Sequence, residues 1–146
     1  MILYLDTSAL VKCYVAERDT QEVISLAGRA NLLGSSLISR VELAAAIAKA
    51  VRRGLLTAEM GRGAQSAFLN QWTDLARIPV TEALVSRAGI LAWDYTLRGY
   101  DAVQLASALT WQESVGRPVT LATFDRELWE AGQEAGIEVW PARLTR

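Results

Sequence analysis

Residues 2–8 read ILYLDTS, an apolar run that ends in an aspartate and two hydroxyl side chains. The run Ile2–Leu5 has the length of a short buried strand, and apolar residues at helical spacing follow it over residues 8–16. A buried strand that leads directly into a helix is typical of a parallel α/β sheet. Asp6 lies at the junction, where open α/β folds place their ligand sites.

Three further acidic residues stand at junctions of the same kind. They are Glu42 in SLISRVEL, Asp101 in LRGYDAVQLASA and Asp125 in LATFDREL. Carboxylates that converge at the carboxyl ends of strands repel one another unless a hard cation such as Mg²⁺ joins them, and that ion binds carboxylates, water and phosphate oxygens. The pattern therefore points to metal-dependent phosphate chemistry.

The remainder of the chain alternates in the same way. Strands are predicted at residues 2–5, 32–35, 77–80, 119–122 and 138–140, and helices at residues 8–16, 20–28, 39–53, 81–95, 101–114 and 125–134. A further helix is expected within residues 57–75, interrupted near its start by Gly61 and Gly63. This alternation predicts an α/β fold with three layers, α/β/α, around a central, mainly parallel sheet of about five strands, in one domain over residues 1–146.

Composition limits the class of protein. The chain has 146 residues, of which 51% are hydrophobic and 21% charged, as expected for one globular domain. The start lacks the basic lead-in of a secretory signal and no apolar run is long enough to span a membrane, so we expect a cytoplasmic protein; the single cysteine, Cys13, fits a reducing compartment. The formal net charge of −1 counts against simple, tight nucleic-acid binding, because phosphate neutralisation drives such binding.

The chain contains no histidine. Catalysis by Ser-His-Asp or Cys-His groups is therefore excluded, since both need an imidazole base. With no histidine and one cysteine, the usual zinc sites are excluded as well. Any chemistry is left to carboxylate, hydroxyl, lysine and arginine side chains.

Each acid also has a purely structural interpretation. Asp6 can cap the helix that follows it, and Ser39-Arg-Val-Glu42 matches the capping box, in which Glu42 bonds back to the Ser39 backbone. Asp101 and Asp125 lie in first helical turns, where the helix dipole favours negative charge. The capping and metal-binding interpretations are compatible, because a helix N-terminus also attracts phosphate.

Hydroxyl side chains accompany two of the acids. Thr7 and Ser8 follow Asp6, and Thr123 precedes Asp125 by two residues. Such hydroxyls are suited to hydrogen-bond the carboxylates or to position water. Three basic residues near the motifs could contact phosphate, but solvation is favoured for each: Lys12, Arg40 and Arg98. Asp94 is expected at a solvated helix position rather than as a fifth ligand.

The four motifs together resemble a PIN-domain ribonuclease, and specifically the VapC-type toxins of prokaryotic toxin–antitoxin systems. DTSALVKCYVAE resembles that family's opening strand and helix, and ISRVELAAAI, LRGYDAVQLASAL and LATFDREL resemble its second, third and fourth acidic motifs. The resemblance covers residues 1–140. Many relatives have histidine where this chain has Gln104, a position outside the four acids that we expect to matter little.

The resemblance implies that Asp6, Glu42, Asp101 and Asp125 form the catalytic site of an RNA endonuclease that depends on Mg²⁺ or Mn²⁺. It also implies a homodimer and inhibition by a small cognate antitoxin. From the charges, we hypothesise that Asp6, Asp101 and Asp125 hold one ion, while Glu42 completes the cluster or positions the attacking water.

Other functions compete with this one. An RNA-maturation nuclease without an antitoxin and a non-catalytic RNA-binding PIN domain both remain open, because they would share the fold. A phosphoacceptor receiver domain is disfavoured, because Asp6 has no acidic neighbour in sequence and no lysine follows Lys49.

Overall fold

Five parallel strands form the centre of the molecule in a computed structural model that describes residues 1–145. The strands are β1 (Ile2–Leu5), β2 (Leu32–Ser36), β3 (Ala76–Ile78), β4 (Val119–Ala122) and β5 (Glu138–Trp140). Their order across the sheet is β3-β2-β1-β4-β5, and every neighbouring pair is parallel. The predicted parallel sheet is confirmed, and β1 lies at its centre.

Helices cover both faces of this sheet, because parallel strands need crossover connections. The seven α-helices within residues 1–145 are α1 (Thr7–Leu10), α2 (Thr20–Gly28), α3 (Ser39–Arg52), α4 (Ala58–Gln71), α5 (Glu82–Tyr95), α6 (Gly99–Val115) and α7 (Arg126–Glu134). Successive side chains of β1 enter two cores: Ile2 and Tyr4 pack with α5, α6 and α7, and Leu3 and Leu5 pack with α1 to α4. The three-layer α/β/α architecture is thus confirmed. None of these described helices is long and apolar enough to cross a membrane.

The expected interruption of α4 by glycine is wrong. The helix runs without a break from Ala58 to Gln71, and the Thr57 hydroxyl caps its start by accepting a hydrogen bond from the Met60 backbone N–H. Gly61 lies against α3, where an added Cβ would stand 2.6 Å from Cγ2 of Val51. Glycine at this position permits close packing of the two helices, which outweighs its low helix propensity.

The first helix is shorter than predicted. α1 ends at Leu10 and continues as a 3₁₀ turn over Val11–Cys13, in which Lys12 is buried. Its ammonium group donates to the Arg18 carbonyl (2.8 Å), pairs with Glu17 (3.3 Å) and lies 4.5 Å from the centre of the Phe124 ring. The expectation that Lys12 is solvated is therefore wrong: tertiary contacts bury a side chain that the local pattern places on the surface.

The carboxyl ends of β1 and β4 lie side by side. Leu5 is paired with Ala122, and the Asp6 backbone N–H donates to the Ala122 carbonyl (3.1 Å). Asp6 is the first residue after β1, and Thr123 is the first residue after the neighbouring strand β4. Both residues stand at the edge of the sheet that bears ligand sites in folds of this topology.

Candidate active site

Two of the four predicted acids are helix caps. Asp6 accepts a hydrogen bond from the Ala9 backbone N–H at the start of α1 (2.9 Å), and Asp125 accepts one from the Leu128 N–H at the start of α7 (2.9 Å). In both residues the cap uses Oδ1. Because capping fixes the carboxylate without covering all of it, Oδ2 stays available for another partner.

Asp6 is held further by two hydroxyls. It is 3% exposed; Ser8 donates to its Oδ1 (2.7 Å) and Thr123 donates to its Oδ2 (2.7 Å). Each hydroxyl in turn accepts a backbone N–H from the segment after β4, Ser8 from Phe124 (2.8 Å) and Thr123 from Asp125 (3.1 Å). These hydrogen bonds join Asp6 to the backbone that carries Asp125.

The carboxylates are close enough to influence one another's ionisation. Burial raises the pKa of Asp6 to about 6, and the charge of Asp125 adds to the effect, although hydrogen bonds from Thr123, Ser8 and the Ala9 backbone oppose it. Burial also raises the pKa of Asp101, with Asp125 and Glu42 adding to the shift and Arg98 opposing it. A site that disfavours its own negative charge is one in which a cation is stabilised.

Asp101, Asp125 and Glu127 form the tightest acidic group within residues 1–145. One carboxylate oxygen from each lies within 4.8 Å of the others. The sequence reasoning did not single out Glu127, although its place in the first turn of α7, two residues after Asp125, would have drawn attention to it. Asp6, which we expected in this group, instead has both of its oxygens engaged by hydroxyl and backbone donors.

Arg98 joins two members of this group. The guanidinium donates to Asp101 (2.9 Å) and to Asp125 (2.7 Å), and it lies 5.1 Å from the centre of the Tyr100 ring. The expectation that Arg98 is simply solvated is wrong, although the side chain is 54% exposed. Asp94, by contrast, is exposed as expected.

Glu42 reaches the same region from α3. Its Oε1 accepts hydrogen bonds from the Thr7 hydroxyl (3.1 Å) and from the Gln104 amide (2.8 Å). The capping-box interpretation does not describe it, because α3 is preceded by Ile38 as N-cap and the Ser39 hydroxyl bonds with Ser35 and Gln104 instead. The Thr7 hydroxyl thus donates to Glu42, whereas the Ser8 and Thr123 hydroxyls donate to Asp6.

The donor set suits a hard divalent cation. Carboxylate oxygens are the groups that Mg²⁺ and Mn²⁺ bind, and the site has no imidazole or thiolate that would favour a softer metal. The carboxylates also attract positive charge, since the Arg98 guanidinium bridges Asp101 and Asp125. The residues present therefore fit an ion of the Mg²⁺ class.

Comparison with known proteins gives the family. The PIN domain family model matches residues 3–133. The chain is 34% identical over 144 residues to Ribonuclease VapC45 and to Ribonuclease VapC49 of Mycobacterium tuberculosis, covering 98% of this chain and 97% of each relative. It is 28% identical to Ribonuclease VapC47 of the same species over 141 residues, covering 93% of each chain.

Solved structures share the fold. VapBC2 from Rickettsia felis, bound to a promoter DNA fragment, aligns with a TM-score of 0.64 at 17% identity over 95% of this chain and 97% of the other. FitAcB from Neisseria gonorrhoeae aligns with a TM-score of 0.61 at 19% identity over 94% and 96%. The family model, the curated relatives and the shared fold agree with the acidic motifs, and the chain belongs to the PIN-domain family, where its relatives include the VapC ribonucleases.

Proposed function

We propose that this protein is a metal-dependent endoribonuclease of the VapC type, the toxin of a toxin–antitoxin pair. The observation that carries the proposal is the acidic group at the carboxyl edge of the sheet, where Arg98 bonds both Asp101 and Asp125 and Thr123 joins Asp6 to the Asp125 backbone. The chain that carries this group is 34% identical over nearly its whole length to proteins named ribonucleases. The shared chemistry of such a site is hydrolysis of a phosphodiester bond.

The ion would be Mg²⁺ or Mn²⁺. Asp101 and Asp125 belong both to the ligand set predicted from the sequence and to the tight acidic group, so they are the ligands we propose first. Asp6 and Glu127 would complete the set, Asp6 from its buried cap position and Glu127 from the open side. When bound, the ion lowers the pKa of a coordinated water and stabilises negative charge on the phosphate.

The remaining roles fall to side chains of this chain. Because the protein has no histidine, a carboxylate or bulk water must accept the proton of the attacking water. We assign the role of proton acceptor to Glu42, whose Oε1 is held by hydrogen bonds from Thr7 and Gln104. Ser8 and Thr123 keep Asp6 in place, and Arg98 is the cationic group nearest to where a phosphate would bind.

The test is induced expression followed by mapping of the cleaved RNA ends, with the wild type compared with Asp6→Asn. We expect cleavage by the wild type that leaves 5′-phosphate ends, and at least a ten-fold loss in the variant, since one catalytic group removed from such a site typically costs about 10²-fold or more. Purified protein that cuts RNA equally well in excess EDTA would overturn the metal-dependent mechanism.

The proposed partners are a small antitoxin and a second copy of the chain. An exposed apolar face on α5, formed by Val85, Ile90 and Trp93, supports the homodimer, because Trp93 is 87% exposed.

A groove of about 330 Å³ between α3 and α4, lined in part by Leu37, Val41 and Leu69, supports binding of an apolar segment of the antitoxin. Light scattering of the wild type and Trp93→Ser would test the dimer, and co-purification with the product of a short adjacent gene would separate a toxin from a maturation nuclease.

A further inference from the structure

The side chain of Gln104 is not one of the proposed ligands or proton acceptors, yet it is 2% exposed and takes part in four hydrogen bonds. It lies on α6, three residues after Asp101, and so on the same side of that helix. A buried amide must find partners for both of its ends, because an unsatisfied polar group in a core destabilises the folded protein. The identity of these partners indicates what the residue does.

The phenol of Tyr4 fixes the orientation of the amide. The Tyr4 hydroxyl donates to Oε1 of Gln104 (2.5 Å), so Nε2 points in the opposite direction. There its two hydrogens are shared among Oε1 of Glu42 (2.8 Å), Oγ of Ser39 (3.1 Å) and Oγ1 of Thr7 (3.3 Å). The reverse orientation would set the amide oxygen against an ionised carboxylate, which can only accept, and is therefore disfavoured.

The same bonds fix Glu42. Its Oε1 accepts from both Gln104 and Thr7, whereas Oε2 makes no hydrogen bond with any residue of the described chain, 1–145. Both donors to Glu42, the Gln104 amide and the Thr7 hydroxyl, are neutral groups. Asp101 and Asp125 differ in this respect, because each accepts from the charged Arg98 guanidinium.

We infer that Gln104 is a positioning residue for the proposed ribonuclease: its amide, oriented by Tyr4, holds Oε1 of Glu42 and leaves Oε2 free for the water or cation of the acidic site. The inference rests on the proposed function and names a residue that acts through Glu42. It links the central strand β1, which carries Tyr4, to the site through a single buried side chain.

The first test is a double-mutant cycle. Gln104→Met keeps the length of the side chain and removes its hydrogen bonds; we expect kcat to fall about ten-fold with KM for RNA unchanged, as for a misplaced catalytic group. Gln112→Met is the matched control, because Gln112 lies on the same helix and accepts one hydrogen bond from the Val119 N–H at the far end. In a Glu42→Gln background, adding Gln104→Met should lower kcat by less than about two-fold further, because each change disrupts the same interaction between Gln104 and Glu42. Losses that multiply, or equal losses in the two methionine variants, would overturn the inference.

Two further measurements keep the inference testable if Gln104→Met folds poorly or if the wild type does not cut RNA. Tyr4→Phe removes the orienting donor and should lower kcat in the same direction by a smaller factor. Independently of activity, the side-chain amide protons of Gln104 should exchange slowly in NMR spectra and shift in Glu42→Gln, with exposed Gln21 as internal reference. Exchange as fast as that of Gln21 would overturn the inference, whereas absence of cleavage with slow exchange would overturn only the proposed function.

Discussion

Arg98 and Asp125 form a 2.7 Å ion pair that joins the start of α6 to the start of α7 at the acidic site. The same guanidinium also bonds Asp101 at 2.9 Å. Arginine therefore shares carboxylate oxygens with any divalent cation that binds there, and its positive charge repels that cation.

This relationship predicts that Arg98→Gln binds Mn²⁺ more tightly than the wild type. Because Arg98 is half exposed and its ion pairs are screened by solvent, we expect a gain of roughly two- to ten-fold, measured by calorimetric titration. Arg126→Gln is the matched control, since Arg126 pairs with Glu130 and the Leu144 carbonyl rather than with the acidic group. Weaker Mn²⁺ binding by Arg98→Gln would mean that the guanidinium supports the ion instead of competing with it.

The raised pKa of Asp6 predicts how stability depends on pH in the presence of EDTA. Its pKa of about 6 lies above the ordinary 3.8, so between these values the folded state binds more protons than the unfolded state. The contribution of Asp6 to the free energy of unfolding is therefore fully present below pH 3.8 and is lost as the pH rises through 6. That loss is on the order of 3 kcal/mol, since a ten-fold change in an ionisation constant corresponds to about 1.4 kcal/mol.

Urea unfolding at pH 5 and pH 7.5 measures this effect. The wild type should lose more stability between the two pH values than Asp6→Asn, which cannot ionise. Saturating Mg²⁺ should reduce the difference, because a bound cation favours the charged carboxylate. Equal pH dependence of the wild type and the variant would show that Asp6 keeps an ordinary pKa in the folded protein.

Two glycines of α4 should respond in opposite ways to alanine. Gly61→Ala places a Cβ 2.6 Å from Val51, so we expect a loss of about 1–3 kcal/mol in the free energy of unfolding. At Gly63 nothing beyond the adjoining residues and backbone of its own helix lies within 4 Å of the added Cβ, so alanine should raise stability by about 0.5–1 kcal/mol through helix propensity. Thermal unfolding of both variants checks this, and stabilisation by both would contradict the close packing of α3 and α4.

Local features of the sequence were enough to predict the sheet, its alternation with helices and the place of Asp6 after the central strand. Each depends on neighbours in sequence, such as the apolar run Ile2–Leu5 before an aspartate. The capping of α1 by Asp6 and of α7 by Asp125 also follows from local residues.

Tertiary partners decided what the sequence did not reveal. Gln104 lies outside the four acids, and its four hydrogen bonds come from three other elements or their flanks, β1, α1 and α3, which no local pattern displays. The contacts of Lys12 and Arg98 are not visible in the local sequence, because Lys12 donates to the Arg18 carbonyl beyond the end of its helix and Arg98 pairs with Asp125 at the start of another helix. Glu127 joins Asp101 only because α6 and α7 begin side by side.

The central claim is that these carboxylates form a metal-dependent ribonuclease site, and the rate of RNA cleavage as a function of Mg²⁺ concentration tests it most directly. The wild type should be inactive in EDTA and recover fully when Mg²⁺ is added back. Asp101→Asn should lose at least about 10²-fold in rate, as expected when a metal ligand or catalytic group is removed. Asp94→Asn, which removes an exposed carboxylate at the end of the neighbouring helix, should match the wild type. Full activity of Asp101→Asn, or a rate that does not depend on Mg²⁺, would contradict the claim.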